Sequence, residues 1–215
     1  MNISTVESYI ENGQYQELEQ LLRAHPELAR QSTSHGISPL LLSCYYNKMQ
    51  AFRIILQFAQ GITIHEAAAA GLTNYVEAIL KQQADTIHET SSHGYSPLGI
   101  ACQFSKEDVV RLLLLNKADP NIPTQNGYMI YPIITASQNN NTAILKLLLE
   151  ANTEVNVQQS TGETALHYAA QAGNIESIIL LLEAGANTQI ANLSGKFPFN
   201  LAAEKGFKEI AEILK

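Results

Sequence analysis

Apolar residues recur along this chain at helical spacing, in short stretches that are separated by turn residues. In the clearest example, Leu166, Ala169 and Ala170 share one face of a helix. A second apolar stripe follows in the range 178–182, and Gly173 lies between the two stretches, where the chain must turn. This spacing predicts a helix, a turn and a second helix, each helix presenting one apolar face.

The same pattern of helix, turn and helix repeats along the chain. Seven turn positions separate the paired stretches: Gly13, Asn47, Gly71, Ser105, Asn140, Gly173 and Gly206. Successive positions are 33 to 35 residues apart, except for one gap of 24 residues. Six of the seven are Gly or Asn, the residues that most easily adopt a left-handed backbone at a helix end. A period near 33 residues predicts a stack of small helical units, and not a single globular core.

Short motifs recur at the same period. The segments 36–40 and 94–98 both contain Gly-x-Ser-Pro-Leu, and Thr-Ala-Leu-His occurs at 164–167. Two later turns carry Ala-Asp-Pro-Asn at 118–121 and Gly-Ala-Asn at 185–187. Together these motifs resemble the ankyrin-repeat family, whose pattern is roughly G-x-T-P-L-H-x-A-A-x-x-G, a leucine-rich second helix, and then G-A-D-x-N. The resemblance covers nearly the whole chain and implies an all-α solenoid of stacked helix-turn-helix pairs with short β-hairpin fingers.

The period also predicts the domain organisation. We expect one ankyrin-repeat domain over 1–215, because each unit of a solenoid buries its apolar face only against its neighbours. The approximate repeats are 1–33, 34–61, 62–91, 92–124, 125–159, 160–192 and 193–215. The second helices of the first and last repeats are polar, so we interpret both repeats as caps. The third repeat is short and lacks its finger, whereas the fifth finger carries two additional residues within 127–132.

Composition and charge narrow the class of partner and the cellular compartment. The net charge is −7, which argues against a broad nucleic-acid-binding surface. No aliphatic run approaches the length of a membrane span, and the N-terminus does not resemble a signal peptide. Cys44 and Cys102 occupy equivalent places two repeats apart, on the order of 20 Å, which is too far for a disulfide. We therefore expect buried thiols in a cytoplasmic, monomeric protein.

Candidate chemistry is limited to near matches. The segment 65–69 begins like a zinc-protease helix but lacks the second histidine, so we interpret His65 as the helix histidine of the family, as at His167. Ser96 fits a helix N-cap better than a nucleophile. His35 and His93 lie in equivalent fingers too far apart to share a zinc ion, and we expect both to form hydrogen bonds at fingertips. The sequence therefore predicts no enzyme, no catalytic residue, no metal site and no cofactor.

The resemblance to ankyrin repeats also implies a binding surface. In that family, partners usually contact finger residues around the glycine and the last two residues of each first helix. The positions that we expect to bind a partner protein are His35, Tyr45, Tyr46, His93, Tyr95, Phe104, Tyr128, Tyr131 and Gln138. Our hypothesis is a concave groove at the short third repeat, flanked by these aromatic residues, that holds a peptide or helix. The alternative is that some rings pack between fingers and helices, Tyr46 and Tyr131 first among them.

Two other functional classes remain open from the sequence. The small residues Ala69 and Ala70 in the short third repeat could line a notch for a small molecule or a metal ion. A self-associating structural protein would also have this composition. The leading hypothesis is a scaffold that binds another protein through its fingers and first helices.

Overall fold

The computed structural model describes residues 2–215, and within them it contains 14 α-helices in seven consecutive pairs and no β-strand. We call the members of each pair the first and the second helix. The pairs are α1 Ile3–Asn12 and α2 Tyr15–Ala24, α3 Pro39–Tyr45 and α4 Met49–Phe58, α5 Ile64–Ala70 and α6 Thr73–Gln82, α7 Pro97–Gln103 and α8 Glu107–Leu115, α9 Pro132–Gln138 and α10 Thr142–Glu150, α11 Ala165–Ala172 and α12 Ile175–Glu183, and α13 Pro198–Glu204 and α14 Lys208–Ile213. Short 3₁₀ helices follow α2 at Pro26–Ala29 and α6 at Ala84–His88. The predicted all-α arrangement of helix pairs is confirmed.

The turn between the helices of every pair has a left-handed residue at the predicted position. Four of these residues are glycines, and the other three, Asn47, Ser105 and Asn140, have φ values of 54°, 53° and 54°. At Gly173, the left-handed backbone lets its N–H reach the Ala170 carbonyl at 3.2 Å, which satisfies one of the last carbonyls of α11. The turn positions were therefore predicted correctly from local sequence chemistry.

The starts of the first helices also follow local chemistry. The Ser38 hydroxyl accepts a hydrogen bond from the Leu41 N–H at 3.2 Å, and the Ser96 hydroxyl accepts one from the Gly99 N–H at 3.0 Å. Both serines precede a proline at the first helical position, where a missing N–H costs nothing. The interpretation of Ser96 as an N-cap is thus confirmed.

The chain divides into two compact units, Met1–Thr86 and Ile87–Lys215. In unit 1, α3 packs on α1 and α5, and α2 packs on α4. In unit 2, the first helices α7, α9, α11 and α13 pack side by side, and so do the second helices α8, α10 and α12. Apolar side chains such as Phe52 in unit 1 and Ile133 in unit 2 fill the layers between helices. Full burial of each such side chain stabilises the fold by about 1.5–3 kcal/mol.

The fingers of unit 2 are tight turns, each closed by a backbone hydrogen bond. Ser91 N–H donates to the Tyr95 carbonyl at 2.9 Å, and Asn192 N–H donates to the Lys196 carbonyl at 2.8 Å. In the described residues, these bonds are not extended into the ladder of a β-strand. The predicted β-hairpin fingers are therefore hairpin-like turns.

Neighbouring fingers of unit 2 are joined through their backbones. Gln125 N–H donates to the Gly94 carbonyl at 2.8 Å, which links the fourth finger to the fifth. The Ser160 N–H donates to the Tyr128 carbonyl at 2.9 Å and links the fifth finger to the sixth. Leu193 N–H then donates to the Thr161 carbonyl at 3.0 Å. The fingers of unit 2 thus form a hydrogen-bonded row.

A buried carboxylate lies at the start of α5, in the short third repeat. Glu66 accepts hydrogen bonds from Arg30 Nη1 at 3.1 and 3.2 Å, from the Thr63 N–H at 2.8 Å, and from the Ser38 hydroxyl. The Glu66 side chain is only 5% exposed, whereas that of Arg30 is 38% exposed. This single carboxylate therefore connects the start of α5 to Arg30 in the first repeat and to Ser38 in the second.

The interpretation of His65 is wrong. Thr63 and Glu66 form a capping box at the start of α5, as Thr164 and His167 do at the start of α11. Glu66 therefore occupies the place of His167, and His65 lies one residue earlier, where it is buried. The spacing from the capping threonine, and not the identity of the histidine, determines which side chain folds back onto the helix start.

Candidate partner-binding surface

None of the nine predicted partner-binding residues is buried. Unit 1 contains His35, Tyr45 and Tyr46, and unit 2 contains His93, Tyr95, Phe104, Tyr128, Tyr131 and Gln138. Each of these side chains is partly or largely exposed, so each is accessible to some degree.

In unit 1, the predicted residues lie at the end of α3 and in the second finger. Tyr45 is the last residue of α3 and is 46% exposed, and Tyr46 follows it with 38% exposure. His35 lies at the exposed fingertip, where its Nδ1 is 3.3 Å from the hydroxyl oxygen of Ser34. The expected fingertip hydrogen bond of His35 is therefore present.

In unit 2, the ends of neighbouring first helices are tied together. The Asn139 side-chain amide, just after α9, donates hydrogen bonds to the carbonyls of Cys102 at 3.2 Å and Gln103 at 3.0 Å, near the end of α7. Phe104 directly follows α7 and is partly exposed, and Gln138 is the exposed last residue of α9. Phe104 and Gln138 thus lie on adjacent helix ends that are held in fixed register.

The fifth finger, which carries the insertion, presents large side chains from a constrained backbone. Tyr128 is 63% exposed and Met129 is 47% exposed. The Tyr128 N–H donates to Asn126 Oδ1 at 3.2 Å, and the Ile130 N–H donates to the Thr124 hydroxyl at 3.0 Å. Met129 has a φ of 51°, a left-handed conformation that costs on the order of 1–3 kcal/mol for a residue other than glycine. A finger held in this way loses little conformational entropy when a partner binds to it.

The other predicted residues of unit 2 are more enclosed. Tyr95 is partly buried, and this burial raises the pKa of its phenol. His93 is partly exposed at the fourth fingertip, with its Nδ1 3.1 Å from the hydroxyl oxygen of Ser92. Tyr131 is partly buried and directly precedes α9. These three side chains are therefore less accessible than those of Tyr128 and Gln138.

The sixth finger contains a polar network that the sequence did not reveal. Gln159 Nε2 donates to the Tyr168 hydroxyl at 2.7 Å and to the Glu163 carboxylate at 3.2 Å. Asn192 Nδ2 donates to Glu163 at 2.9 Å, and the Thr161 hydroxyl also donates to it. Partial burial raises the pKa of Glu163, but these hydrogen bonds outweigh it, and the net pKa is lowered. Asn192 lies 29 residues from Glu163 in the chain, so no local pattern could indicate this contact.

His167 connects the sixth repeat to the seventh finger. Its Nδ1 accepts hydrogen bonds from the Thr164 N–H at 3.1 Å and from the Thr164 hydroxyl at 2.9 Å. Because Nδ1 is an acceptor, the proton lies on Nε2, which donates to the Lys196 carbonyl at 3.1 Å. Burial lowers the pKa of His167, although the bond to Lys196 and the Glu163 charge partly oppose it. The role of His167 is therefore structural.

Charge is distributed unevenly over the segments of unit 2. The ranges 91–105 and 124–142, which form the fourth and fifth fingers, α7 and α9, contain no Lys, Arg, Asp or Glu. The intervening range 106–123, which includes α8, contains six charged residues. The predicted binding residues of unit 2 therefore lie in segments that carry neutral amide, hydroxyl and aromatic side chains.

Ala69 and Ala70, which could line a notch for a small molecule or a metal ion, are buried. Ala69 and Ala70 are 1% and 9% exposed. Grooves of unit 2 include one of about 280 Å³ between α8 and α10 and one of about 360 Å³ beside Phe207. Within residues 2–215, no group of three or more His, Cys, Asp and Glu side chains could hold a metal ion.

In the described part of the chain, no helix has the length and apolar character needed to cross a bilayer. Cys44 and Cys102 are both buried thiols, as expected. Burial strongly raises the pKa of the Cys102 thiol.

Comparison with known proteins places these features in context. Over 105 residues, which is 48% of this chain, the sequence is 35% identical to transient receptor potential cation channel subfamily A member 1 of Homo sapiens, of which it covers 9%. It is 31% identical over 105 residues, or 49% of the chain, to an ankyrin repeat protein of Acanthamoeba polyphaga mimivirus, of which it covers 14%. It is 33% identical over 90 residues, or 42% of the chain, to ankyrin repeat and SAM domain-containing protein 6 of Rattus norvegicus, of which it covers 10%. The chain thus spans only a small part of each of these three relatives.

The family profile described as ankyrin repeats (3 copies) matches residues 60–124 and 133–215, which is more than half of the chain. The matched ranges contain the helix pairs from α5 onwards, except for the first residue of α9, whereas the fifth finger lies between the two ranges. The chain belongs to the ankyrin-repeat family.

Proposed function

We propose that this protein is a non-enzymatic module that binds another protein through the finger residues and first-helix ends of unit 2. Ankyrin repeats are generally protein-interaction modules. The observation that carries the proposal is the fifth finger, where Tyr128 and Met129 project from a hydrogen-bonded backbone. Tyrosine is enriched at binding hot spots, because it buries a large area at low entropy cost and keeps a polar hydroxyl.

The proposed contact residues of unit 2 extend from the fifth finger to the ends of the first helices. They are Tyr95, Phe104, Tyr128, Tyr131 and Gln138, with His93 at the neighbouring fingertip. In unit 1, the exposed His35, Tyr45 and Tyr46 provide a second set of proposed contacts. We place the protein in the cytoplasm as a monomer, since buried thiols suit a reducing compartment. The net charge of −7 disfavours nucleic acid as a partner.

The test is affinity capture with the full chain from a lysate of the native organism, followed by mass spectrometry. The variants Tyr128→Ala and Phe104→Ala remove exposed or partly exposed side chains and should leave the thermal midpoint and circular dichroism unchanged. Each should reduce the recovery of the captured protein by about 30-fold, the loss expected when a hot spot of about 2 kcal/mol is truncated.

The matched control is Leu115→Ala. Leu115 ends α8 and is 74% exposed, so this variant also removes an exposed apolar side chain, but from a second helix. Recovery should equal that of the wild type. If recovery is unchanged in both test variants, the proposed surface is wrong. If Leu115→Ala alone abolishes capture, partners bind through the second helices instead.

A further inference from the structure

We infer that the binding surface of unit 2 recognises a polypeptide segment that presents no charged side chain to it. This inference rests on the proposed function and adds the chemistry of the partner. We define the neutral face by its exposed and partly exposed residues: Tyr95, Phe104, Tyr128, Met129, Gln138 and Asn139. Backbone bonds join the fourth, fifth and sixth fingers, and Asn139 ties the end of α9 to that of α7.

The segments that form this face lack charge, a property they share with the second finger and α3 over 31–47. The ranges 91–105 and 124–142 contain no charged residue, although many of their positions are exposed to water. Over the whole chain, 15% of residues are charged. The second helix that lies between these ranges in sequence does carry charges, with Glu107, Asp108 and Arg111 in α8. Exposure alone therefore does not explain why the neutral face lacks charges.

The chemistry of the neutral face determines what it can bind. A charged partner side chain would lose water on docking and find no counter-charge, and this loss is one of the largest penalties in recognition. Amide and phenol groups such as those of Gln138 and Tyr128 can instead donate to and accept from peptide groups and neutral polar side chains. Aromatic rings add apolar area. The occupant that fits is an uncharged stretch of polypeptide with apolar and amide side chains.

The carboxylate in the adjoining sixth finger does not supply the missing counter-charge. Glu163 already accepts hydrogen bonds from Gln159, Thr161 and Asn192. Glu163 lies outside the neutral face, and a basic partner group would compete with these donors for its carboxylate. Recognition across the neutral face therefore proceeds without ion pairs, and it should be insensitive to salt, because screening acts only on charge–charge interactions.

The experiment uses opposite charges at a single position. Gln138 is the exposed last residue of α9, so Gln138→Glu and Gln138→Lys introduce either sign at the neutral face of the full chain. The probes are random short peptides displayed on phage, selected on the wild-type chain at about 50 mM and about 500 mM salt. The matched controls are Ala143→Glu and Ala143→Lys, because Ala143 is exposed near the start of the second helix α10.

We expect the selected peptides to be depleted in charged residues and to bind equally at both salt concentrations. Both Gln138 variants should weaken their binding, each by about tenfold, because either charge must be desolvated. The Ala143 controls should bind as the wild type does. The inference is overturned if the selected peptides are rich in one charge, if one Gln138 variant binds more tightly, or if no peptide is selected.

This outcome can be distinguished from a failure of the proposed function. If lysate capture is insensitive to Tyr128→Ala and Phe104→Ala, the proposed surface itself is wrong. If capture depends on those residues but the two Gln138 variants respond in opposite directions, the surface binds a charged partner and only the present inference fails.

Discussion

The buried carboxylate of Glu66 provides the strongest test of how the short third repeat is held. Glu66→Ala removes the acceptor for three donors, which belong to Arg30, Ser38 and Thr63. Breaking a buried ion pair by removing one partner costs about 3–5 kcal/mol. The Arg30 side chain is 38% exposed and can return to water, so we expect the lower end of that range, about 3 kcal/mol.

The assay is thermal and urea unfolding followed by circular dichroism. For a chain of this size, about 3 kcal/mol corresponds to a decrease of about 6–12 °C in the unfolding midpoint. Glu66→Gln keeps an oxygen that can accept from the Thr63 N–H and loses the charge, so it should cost about 1–2 kcal/mol.

The control is Glu77→Gln in the same unit. It breaks a surface ion pair in which Glu77 Oε1 lies 2.8 Å from Lys81 Nζ. The side chains of Glu77 and Lys81 are 51% and 71% exposed. We expect a change below about 0.5 kcal/mol. If Glu66→Ala is no more destabilising than this control, the carboxylate does not anchor the third repeat and the reasoning fails.

Three further predictions concern unit 2. Because the pKa of His167 is lowered in the folded chain, the unfolded chain binds a proton at this residue more readily. His167 should therefore lower the free energy of unfolding as the pH falls from about 6.5 towards its folded pKa. His167→Gln should abolish that part of the pH dependence in urea titrations, and an unchanged slope would contradict it. Cys102 is fully buried and the pKa of its thiol is raised. In a Cys44→Ala variant, Cys102 should therefore react with Ellman's reagent far more slowly in the native chain than in urea. Equal rates would show that α7 opens freely. Gly94→Ala should lower the thermal midpoint more than Gly127→Ala does. Both glycines have a positive φ, 79° and 85°, so both substitutions strain the backbone. Of the two, only Gly94 would place the new Cβ 2.8 Å from backbone atoms of the next finger. Equal losses would mean that backbone strain alone accounts for both.

The elements that could be predicted from sequence are those whose physics is local. Gly173 and Asn140 were identified as turns because few residues tolerate a left-handed backbone, and both have positive φ. Ser96 was identified as a cap because a hydroxyl before proline can reach the third helical N–H, and it does so at 3.0 Å. The period of these signals was sufficient to predict seven helix pairs.

Some contacts could have been found from the sequence but were misinterpreted. Thr63 and Glu66 have the spacing of a capping box. His65 was nevertheless interpreted as the equivalent of His167, because both residues are histidines. The short segment before α5 predicted a missing finger, and α5 begins at Ile64 soon after α4 ends at Phe58. It did not reveal that Glu66 would connect this repeat to Arg30, because that contact spans 36 residues.

What the sequence by itself determined is the succession of helices and turns, together with the segments that carry no charge, since both depend on residues close together in the chain. Only the tertiary structure decided which side chains meet and which remain exposed. The network around Glu163 depends on Asn192 from the next repeat, and the alignment of the ends of α7 and α9 depends on the bond from Asn139 to Cys102. Such contacts join residues about one repeat apart, and packing between helices sets their geometry.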